Sequence, residues 1–459
     1  MSDETDGLKP WDIERYRGVR RYAERKKDWE LGDDDELVLG GGGAGGVAGG
    51  SSRGEAQPRY ARSGPSLFWL ALRGSILTVL TLGIYRFWLV TGLRRHFWNA
   101  IRIQGDPFEY TGTGLEKLLG FLLAIVILAI YLGLVNLGLV FIGLSYFEGN
   151  PFALQITVLA AIPFLFFAVY RARRYAMART RWRGIRLGME PGAWGYTGRA
   201  LLYWVLTILT LGLLHPLKQF RLTKFMVDRT WFGDLKFQQS GSWVGLFAYW
   251  IWLYVVLGLM ALAAWGMAAD PGNPSTQVIG GLIAFLGYIA LFVMFMRYEV
   301  VAFRYLWSNR TLGGVRFQND VSPGQIISVY VVGTLLSGIC TLLVIVAFSA
   351  GVGVLAYAVL GPGQLDNLGG MIEDPSAALS RTQMIGIAAA AALAYLVAMA
   401  FAFAFSQVFI TRPILMRKTE AMVIHNAEAL SASRQRVHDR ATEAGGFADA
   451  LGVDVGAGF

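Results

Sequence analysis

The sequence predicts an all-α polytopic membrane protein, a tandem parallel duplication with about six full spans, two short re-entrant or interfacial helices and small cytoplasmic β-hairpins. Three observations predict this class. Hydrophobic residues make up 54% of the 459 residues and charged residues only 16%, against about 25% charged residues in soluble domains. The hydrophobic residues lie in long runs, as in helices surrounded by lipid, and one segment repeats another. These observations argue against a soluble enzyme, a secreted disulfide scaffold and a nucleic-acid-binding globule.

The two ends of the chain are predicted to be cytoplasmic tails. Residues 1–64 combine charges of both signs with the tract Gly40–Gly50, a composition that gains too little from burial to offset chain entropy. The chain after Arg412 carries basic residues and ends in small residues and glycine, and residues 419–459 form the predicted C-terminal tail. Because no basic segment followed by an apolar core stands at the start, we expect no cleavable signal peptide.

Eight apolar runs lie between the tails. They cover residues 67–90, 118–147, 152–170, 200–217, 243–267, 278–296, 326–360 and 384–410. A spanning helix needs about 20 apolar residues, but the charge-free parts of the first and fourth runs cover only 74–85 and 200–214. We expect these two segments to dip into the cytoplasmic leaflet or to lie along it, which leaves six full spans. Eight complete spans are the alternative.

The two short runs are near copies of each other. Residues 77–84 read LTVLTLGI and residues 206–213 read LTILTLGL. Four pairs of residues share an offset of 129 or 130, namely Gly83 with Gly212, Arg95 with Lys224, Phe108 with Phe237, and Arg174 with Arg304. The sequence therefore predicts a first membrane repeat at 65–195, a second at 196–325 and a partial third unit at 326–418.

Basic residues predict the orientation of the repeats. They cluster after the first, third, fourth and sixth runs, whereas the other connections are acidic or neutral. Basic loops stay in the cytoplasm, so equivalent loops of both repeats should face the same side. Each repeat must then cross the membrane an even number of times, with both termini in the cytoplasm. The short run is the one that we expect not to cross.

Four segments beside basic helix ends predict β-hairpins. Residue character alternates on both sides of a glycine-containing turn, as it does in hairpins. The segments cover residues 101–110, 182–187, 231–237 and 311–317. A single hairpin is marginally stable, but four hairpins on one side of the membrane could pair into a small cytoplasmic sheet.

Several motifs resemble the YjgN-like family of bacterial inner-membrane proteins, which contain domain of unknown function 898. The motifs are LTLGIYxFW at 80–88, RxxxN at 95–99, FEYxG at 108–112 and RTRWRGIR at 179–186. The resemblance covers roughly residues 65–418, although proline is expected where Phe87 stands. It implies a multi-pass protein of the inner membrane, and it brings no known activity and no catalytic residue.

The sequence predicts neither an enzyme nor a cofactor or metal site. Its 4 histidines are scattered, and Gly40–Gly50 lacks the Lys-Ser/Thr of a phosphate-binding loop. Basic residues beside inward helix ends favour contact with the lipid bilayer and with anionic headgroups over nucleic acid. The candidate residues for structure or for a solute path are Gly83, Gly212, Arg95, Lys224, Phe108, Phe237, Arg174 and Arg304.

Two functional hypotheses follow from the sequence. In the first, the chain is a transporter or channel-like protein for a small solute or ion, and the segments around Gly83 and Gly212 face a shared cavity. In the second, it is a membrane scaffold or envelope-maintenance protein that binds anionic lipid or a partner protein through its basic hairpins. The duplicated short segments favour the first hypothesis.

Overall fold

The structure is a computed structural model that describes residues 54–61, 66–146, 153–360 and 381–436. The predicted tail before Gly54 and the acidic connections around Glu148 and Asp366 lie outside the described residues. The helices are α1 Leu67–Leu80, α2 Arg86–Ala100, α3 Gly114–Tyr146, α4 Ala153–Ala178, α5 Ala193–Leu209, α6 His215–Val227, α7 Trp243–Ala269, α8 Pro274–Ser308, α9 Pro323–Leu360, α10 Arg381–Ser406, α11 Arg412–Glu420 and α12 Glu428–Ser431. A π-helical turn, Gln407–Thr411, joins α10 to α11.

The strands are short and belong to one sheet. They are β1 Glu55–Ala56, β2 Arg59–Tyr60, β3 Ile101–Ile103, β4 Asp106–Tyr110, β5 Thr180–Trp182, β6 Ile185–Met189, β7 Thr230–Phe232, β8 Leu235–Gln239, β9 Arg310–Leu312, β10 Val315–Asn319 and β11 Met422–His425. The order across the sheet is β1-β11-β10-β9-β8-β7-β6-β5-β4-β3-β2, and each neighbouring pair is antiparallel.

Six of the described segments are long and apolar enough to cross a membrane. They are Gly114–Phe141, Ile156–Ala178, Trp243–Ala269, Pro274–Ser308, Pro323–Val354 and Ala388–Glu420. Helix α1 has 14 residues and α5 has 17, which correspond to about 21 and 26 Å at 1.5 Å per residue. These helices are shorter than the roughly 30 Å hydrocarbon layer, so six segments qualify as full spans.

The first ten helices form a closed ring. Each of α1 to α9 contacts the helix that follows it, and α10 contacts α1. The ring contains two short antiparallel pairs, α1 with α2 and α5 with α6, and three long ones. The chain reverses within the short pairs at 81–85 and 210–214, where Gly83 and Gly212 have φ of 94° and 92°. A residue with a side chain rarely adopts this conformation.

The sheet closes on itself through residues 55–60. Strand β1 pairs with β11 at one end of the strand order, and β2 pairs with β3 at the other. Only Gln57 and Pro58 separate the two strands, so their ends lie at most about 11 Å apart. The register makes 55–60 equivalent to the second strand of a hairpin whose first strand is β11. Five such two-stranded units therefore surround one axis as a small barrel.

The prediction of an all-α fold is wrong, because the structure contains this 11-stranded antiparallel sheet. Four hairpins lie at 101–110, 180–189, 230–239 and 310–319, where the sequence predicts them. In the first, Gln104 and Gly105 have φ of 52° and 87°, as a type I′ turn requires. The fifth unit pairs residues from the predicted tails, 55–60 and 422–425. The long hydrophobic runs dominate the composition, and the strands of this fifth unit lie in segments where no hairpin is predicted.

Candidate functional site: an apolar chamber on the barrel axis

The interior of the barrel is defined by one register position. In each of the four hairpins, the third residue of the first strand and the third residue of the second strand face the axis, and neighbouring hairpins pair these residues across their strands, as in Phe108 with Trp182 and Phe237 with Leu312. In the fifth unit, Ile424 of β11 and Pro58, between β1 and β2, take the corresponding places. The resulting set, the axial ring, consists of Pro58, Ile103, Phe108, Trp182, Leu187, Phe232, Phe237, Leu312, Phe317 and Ile424. All ten side chains are apolar.

Alternation along the strands separates this ring from the outer surface of the barrel. The first strands have a buried, half-buried, buried pattern, as expected when successive side chains point to opposite faces. In β10, Phe317 is buried while Arg316 and Gln318 are exposed. At the level of the axial ring, charged and polar residues therefore occupy the outside of the barrel, and apolar residues occupy the inside.

The axial ring encloses a cavity of about 100 Å³. Trp98, Trp307, Lys418 and Thr419 line it on the side of the helices, and Leu430 lines it on the side of the hairpin turns. A water molecule needs two to four polar partners to remain in a buried cavity, and apolar cavities of this size stay dry. The ten side chains of the axial ring therefore offer no polar partner to water or to an ion.

The segment after β11 crosses the end of the barrel where the hairpin turns lie. Leu430 is 5% exposed and belongs to the apolar core. The Arg183 guanidinium donates to Ser431 Oγ at 3.0 Å, and the Arg434 backbone N–H donates to Asp234 Oδ1 at 3.0 Å. The Arg436 guanidinium lies 3.9 Å from the centre of the Trp231 ring. Residues 426–436, the closing segment, thus bridge β11 to the turns of the second and third hairpins.

A partly polar layer lies between the axial ring and the helices. The Arg310 Nε donates to Gln239 Oε1 at 3.0 Å, and Gln239 Nε2 donates to the Leu306 carbonyl at 3.0 Å. Burial, together with the charge of Arg173, lowers the pKa of Arg310 to about 9. The guanidinium remains charged at neutral pH, so this layer places a fixed positive charge beside the apolar chamber.

Three of the predicted basic residues donate a hydrogen bond from a helix to a backbone carbonyl at or just after the end of a strand. Arg95 donates to the Gly112 carbonyl at 2.8 Å, Arg174 to the Met189 carbonyl at 3.1 Å, and Lys224 to the Gln239 carbonyl at 2.6 Å. Each stands six residues before the first strand of its hairpin. Arg304 occupies the same position before β9 and is half-buried. These residues position the barrel and do not line the chamber.

The other predicted site residues divide into two places. Phe108 and Phe237 meet in the axial ring. Gly83 and Gly212 lie at the tips of two separate helix pairs, and neither glycine lines the axial chamber. Sequence reasoning missed Pro58, Ile424 and Leu430, which reach the axis only through pairing between the ends of the chain. The shared third position of the hairpins was the available signal for Trp182, Phe232, Leu312 and Phe317.

The described residues contain no group of three or more His, Cys, Asp or Glu side chains that could hold a metal ion. Cys340 is a half-buried free thiol in α9. In the part of the chain that the structure describes, the chamber brings residues from all five units together.

Comparison with known proteins identifies the family. The model of a family described as "Bacterial protein of unknown function (DUF898)" matches residues 58–359. "Inner membrane protein YjgN" of Salmonella typhimurium is 27% identical over 143 residues, which cover 30% of this chain and 33% of that protein. The alignment thus covers about a third of the length of this relative. No solved structure matches the chain. The family match confirms the resemblance, and the chain belongs to the DUF898 family of multi-pass inner-membrane proteins.

Proposed function

We propose that the chain is a channel-like transport protein for a small solute or ion, without enzymatic activity, and that the axial ring is its closed gate. The observation that carries this proposal is the alignment of ten apolar side chains around the axis of a closed barrel. Hydrophobic constrictions gate channels because water leaves them. The helix ring and the barrel share strand–helix junctions in every unit, so a path along the axis meets this constriction.

The orientation belongs to the same proposal. Basic residues concentrate at the junctions between helices and barrel, as in Arg95, Arg174 and Lys224, and basic segments favour the cytoplasmic side. We therefore place the barrel and both termini in the cytoplasm. The short helix pairs then enter the membrane from the cytoplasm and return, while the six long segments cross it.

The experiment replaces one ring residue by a polar one. Leu312→Asn places an amide in the ring, while Thr311→Asn places the same amide on the outer side of the same strand. In liposomes with a potassium gradient, we expect Leu312→Asn to raise potassium efflux at least about tenfold, because water can then fill the constriction. The Thr311→Asn protein should match the unmodified chain.

A second ring position protects the test against misfolding. Phe317→Asn changes the ring residue on the partner strand of the same hairpin, and both variants are compared with the unmodified chain by gel filtration and by thermal unfolding in detergent. If the Leu312→Asn and Phe317→Asn proteins fold but leave the permeability to potassium and glycerol unchanged, the axial ring is not the gate.

The second candidate function is that of a scaffold that binds anionic lipid or a partner protein. The outer barrel surface supports it, because it carries the basic residues Arg59, Arg102, Arg181, Arg186, Lys236 and Arg316. Replacing Lys236 and Arg316 with Glu should then reduce co-purified phosphatidylglycerol or crosslinked protein, without any change in permeability. Equal recovery from the variant and the unmodified chain would contradict this function.

We also infer that the two membrane repeats arose by duplication. The first and third hairpins start 129 residues apart, the second and fourth 130 residues apart, and all four have the same register. A chimaera in which residues 230–239 replace residues 101–110 should therefore fold, since the inward position stays apolar. Aggregation of this chimaera, alongside a folded Phe108→Leu control, would argue against equivalent hairpins.

A further inference from the structure

A groove between α3 and α4 lies outside the chamber and plays no part in the proposed function. It has a volume of about 810 Å³, within the range of about 300–1,000 Å³ that is typical of ligand sites. Its walls are apolar and include Leu119, Leu123, Ile127, Phe164 and Phe167. The six spanning segments make the surrounding medium lipid, so the question is which lipid component this groove fits.

Polar contacts close the groove at both ends. Near the barrel, Glu116 accepts from the Tyr175 hydroxyl at 2.8 Å and from Arg179 Nε at 3.1 Å. Away from the barrel, the Tyr131 hydroxyl donates to the Ala160 carbonyl at 3.0 Å. Between Glu116 and Tyr131 the helix rises about 22 Å, which exceeds the roughly 15 Å hydrocarbon depth of one leaflet. The groove therefore has a defined length that suits one extended acyl chain.

The sequence explains why this helix pair leaves space. Pro163 lies inside α4 and lines the groove, and a proline in a helix interior removes a backbone hydrogen bond and bends the helix. Gly120 contributes no side chain to the opposite wall. At the position of Gly120 in the second repeat, α7 carries Tyr249.

The helix pair α7 and α8 provides the matched comparison. There, Gly280 and Gly287 face Met267 and Met260 so closely that a methyl group at either glycine would overlap the methionine side chain. Small residues let helices in membranes approach each other closely. The α7–α8 pair is therefore filled by protein, whereas the α3–α4 pair leaves a groove that protein does not fill.

The end of the groove near the barrel has the chemistry of a headgroup site. Arg171 lines it, with its guanidinium carbon 5.9 Å from the centre of the Phe167 ring. The described part of the chain contains no carboxylate paired with Arg171. Trp194 also lines this end, is 75% exposed, and lies 4.9 Å from Phe167 between ring centres. Arginine binds phosphate, and tryptophan prefers the membrane interface.

We propose that the α3–α4 groove binds one phospholipid with an anionic headgroup, drawn from the leaflet next to the barrel. One acyl chain lies between Leu119 and Phe164, and the phosphate contacts Arg171 beside Trp194. The Glu116–Arg179 pair supports the wall of the site. The gate proposal does not depend on this site, so the two can fail separately.

The test measures lipid binding to the full-length protein. The protein is delipidated in detergent and titrated with phosphatidylglycerol or phosphatidylcholine, and bound lipids are counted by native mass spectrometry. We expect one phosphatidylglycerol to bind at least about tenfold more tightly than the others and than phosphatidylcholine, because the headgroup contact is charge-assisted. Arg171→Gln should remove this preference, while Arg297→Gln, at an exposed arginine of α8, should keep it.

A second measurement locates the acyl chain. Phosphatidylglycerol with a photoreactive group on its chain should crosslink to residues 119–131 and 163–167, and Leu123→Trp should abolish these crosslinks by filling the groove. Leu262→Trp on α7 is the control for an added indole. Equal crosslinking to α3–α4 and α7–α8, or equal binding of both lipids by the Arg171→Gln and unmodified proteins, would show only a general lipid shell and would overturn the proposal.

Discussion

The tips of the two short helix pairs have the same turn conformation and equivalent internal hydrogen bonds, yet they differ in what covers them. In the first pair, Thr81 bonds the Leu77 carbonyl at 2.7 Å and accepts from the Tyr85 N–H at 2.9 Å. In the second pair, Thr210 makes the equivalent bonds at 2.8 and 3.2 Å. The local turn is therefore set by sequence in both copies.

Within the described residues, the second tip alone receives donors from a neighbouring helix. The Trp250 indole N–H donates to the Gly212 carbonyl at 3.1 Å, and the Tyr254 hydroxyl donates to the Leu211 carbonyl at 2.8 Å. At the sequence offset of 129, Phe121 corresponds to Trp250, and Ile125 corresponds to Tyr254. Neither side chain can donate a hydrogen bond.

The difference shows how one motif acquires two environments within a membrane. Carbonyl groups at membrane depth need protein or water partners. The second tip obtains protein partners from α7, whereas the described hydrogen bonds give the Leu82 carbonyl none. Leu82 is 95% exposed. At the first tip, a backbone carbonyl is therefore available to accept a hydrogen bond from water or from another molecule.

The largest effect is expected from valine at the tip glycines. Gly212→Val forces a β-branched residue to a φ of 92° and brings its Cβ to 2.9 Å from the Tyr254 hydroxyl. We expect a loss of about 3 kcal/mol, of which backbone strain contributes about 1–3 kcal/mol and the disturbed Tyr254 bond about 0.6 kcal/mol or more. Gly83→Val has the same strain but open space around its Cβ.

The measurement for this pair is the free energy of unfolding of each variant in detergent, obtained from thermal or denaturant titration. Gly83→Val should lose less stability than Gly212→Val by about 1 kcal/mol, the contribution of the tyrosine contact. Identical losses at the two glycines would mean that Tyr254 does not distinguish the tips.

Trp250→Phe should have the next largest effect. It removes the indole donor to Gly212 and weakens the stack on His215, whose ring centre lies 4.5 Å away. We expect a loss of about 1–2 kcal/mol, because a hydrogen bond in the membrane contributes about 0.6 and at most about 1.7 kcal/mol. Hydrogen exchange should rise at 211–213 and remain constant at 82–84. A uniform rise at both tips would contradict a local role for Trp250.

Much of the fold could be predicted because its signals are local. The length of the apolar runs marks the six candidate spans, and glycine turns mark the four hairpins. The barrel closure could not be predicted, since Ala56 pairs with Ile424 and no local pattern connects such distant residues. The all-α prediction failed for a related reason: the strands are only two to five residues long, and they form a sheet through pairing between hairpins that are distant in sequence, as in Phe108 with Trp182.

The site was predictable only in fragments. The offset of 129 identified Phe108 and Phe237 as equivalent residues, but not as members of one ring. Arg95 and Lys224 were candidates because of their charge, and in the structure they donate hydrogen bonds to backbone carbonyls at or after the ends of strands. Pro58 contributes to the ring from a segment that resembles a polar tail. Inward orientation depends on pairing across units, which a single sequence does not display.

The threonine hydrogen bonds within the two tips should contribute equally to stability. Thr81→Val and Thr210→Val each remove a side-chain bond to the preceding turn and a bond from the residue four positions later. We expect each variant to lose about 0.6–1 kcal/mol in the same unfolding assay. A difference between the two losses above about 0.5 kcal/mol, beyond the usual scatter for surface changes, would mean that α7 also stabilises the hydrogen bonds of Thr210.

The smallest effect is expected from supplying the missing donor to the first tip. Phe121 lies against Phe87 with ring centres 5.2 Å apart, so Phe121→Trp places an indole on the same side of α2 as Trp250 occupies on α6. We expect a gain of a few tenths of a kcal/mol, less than a full membrane hydrogen bond of about 0.6 kcal/mol, because the larger ring must also be accommodated. Slower hydrogen exchange at 82–84, with 211–213 unchanged as the internal control, would show that a single donor separates the two tips. Unchanged exchange at 82–84 in a folded Phe121→Trp protein would mean that the position of α3, and not its missing donor, leaves the first tip open.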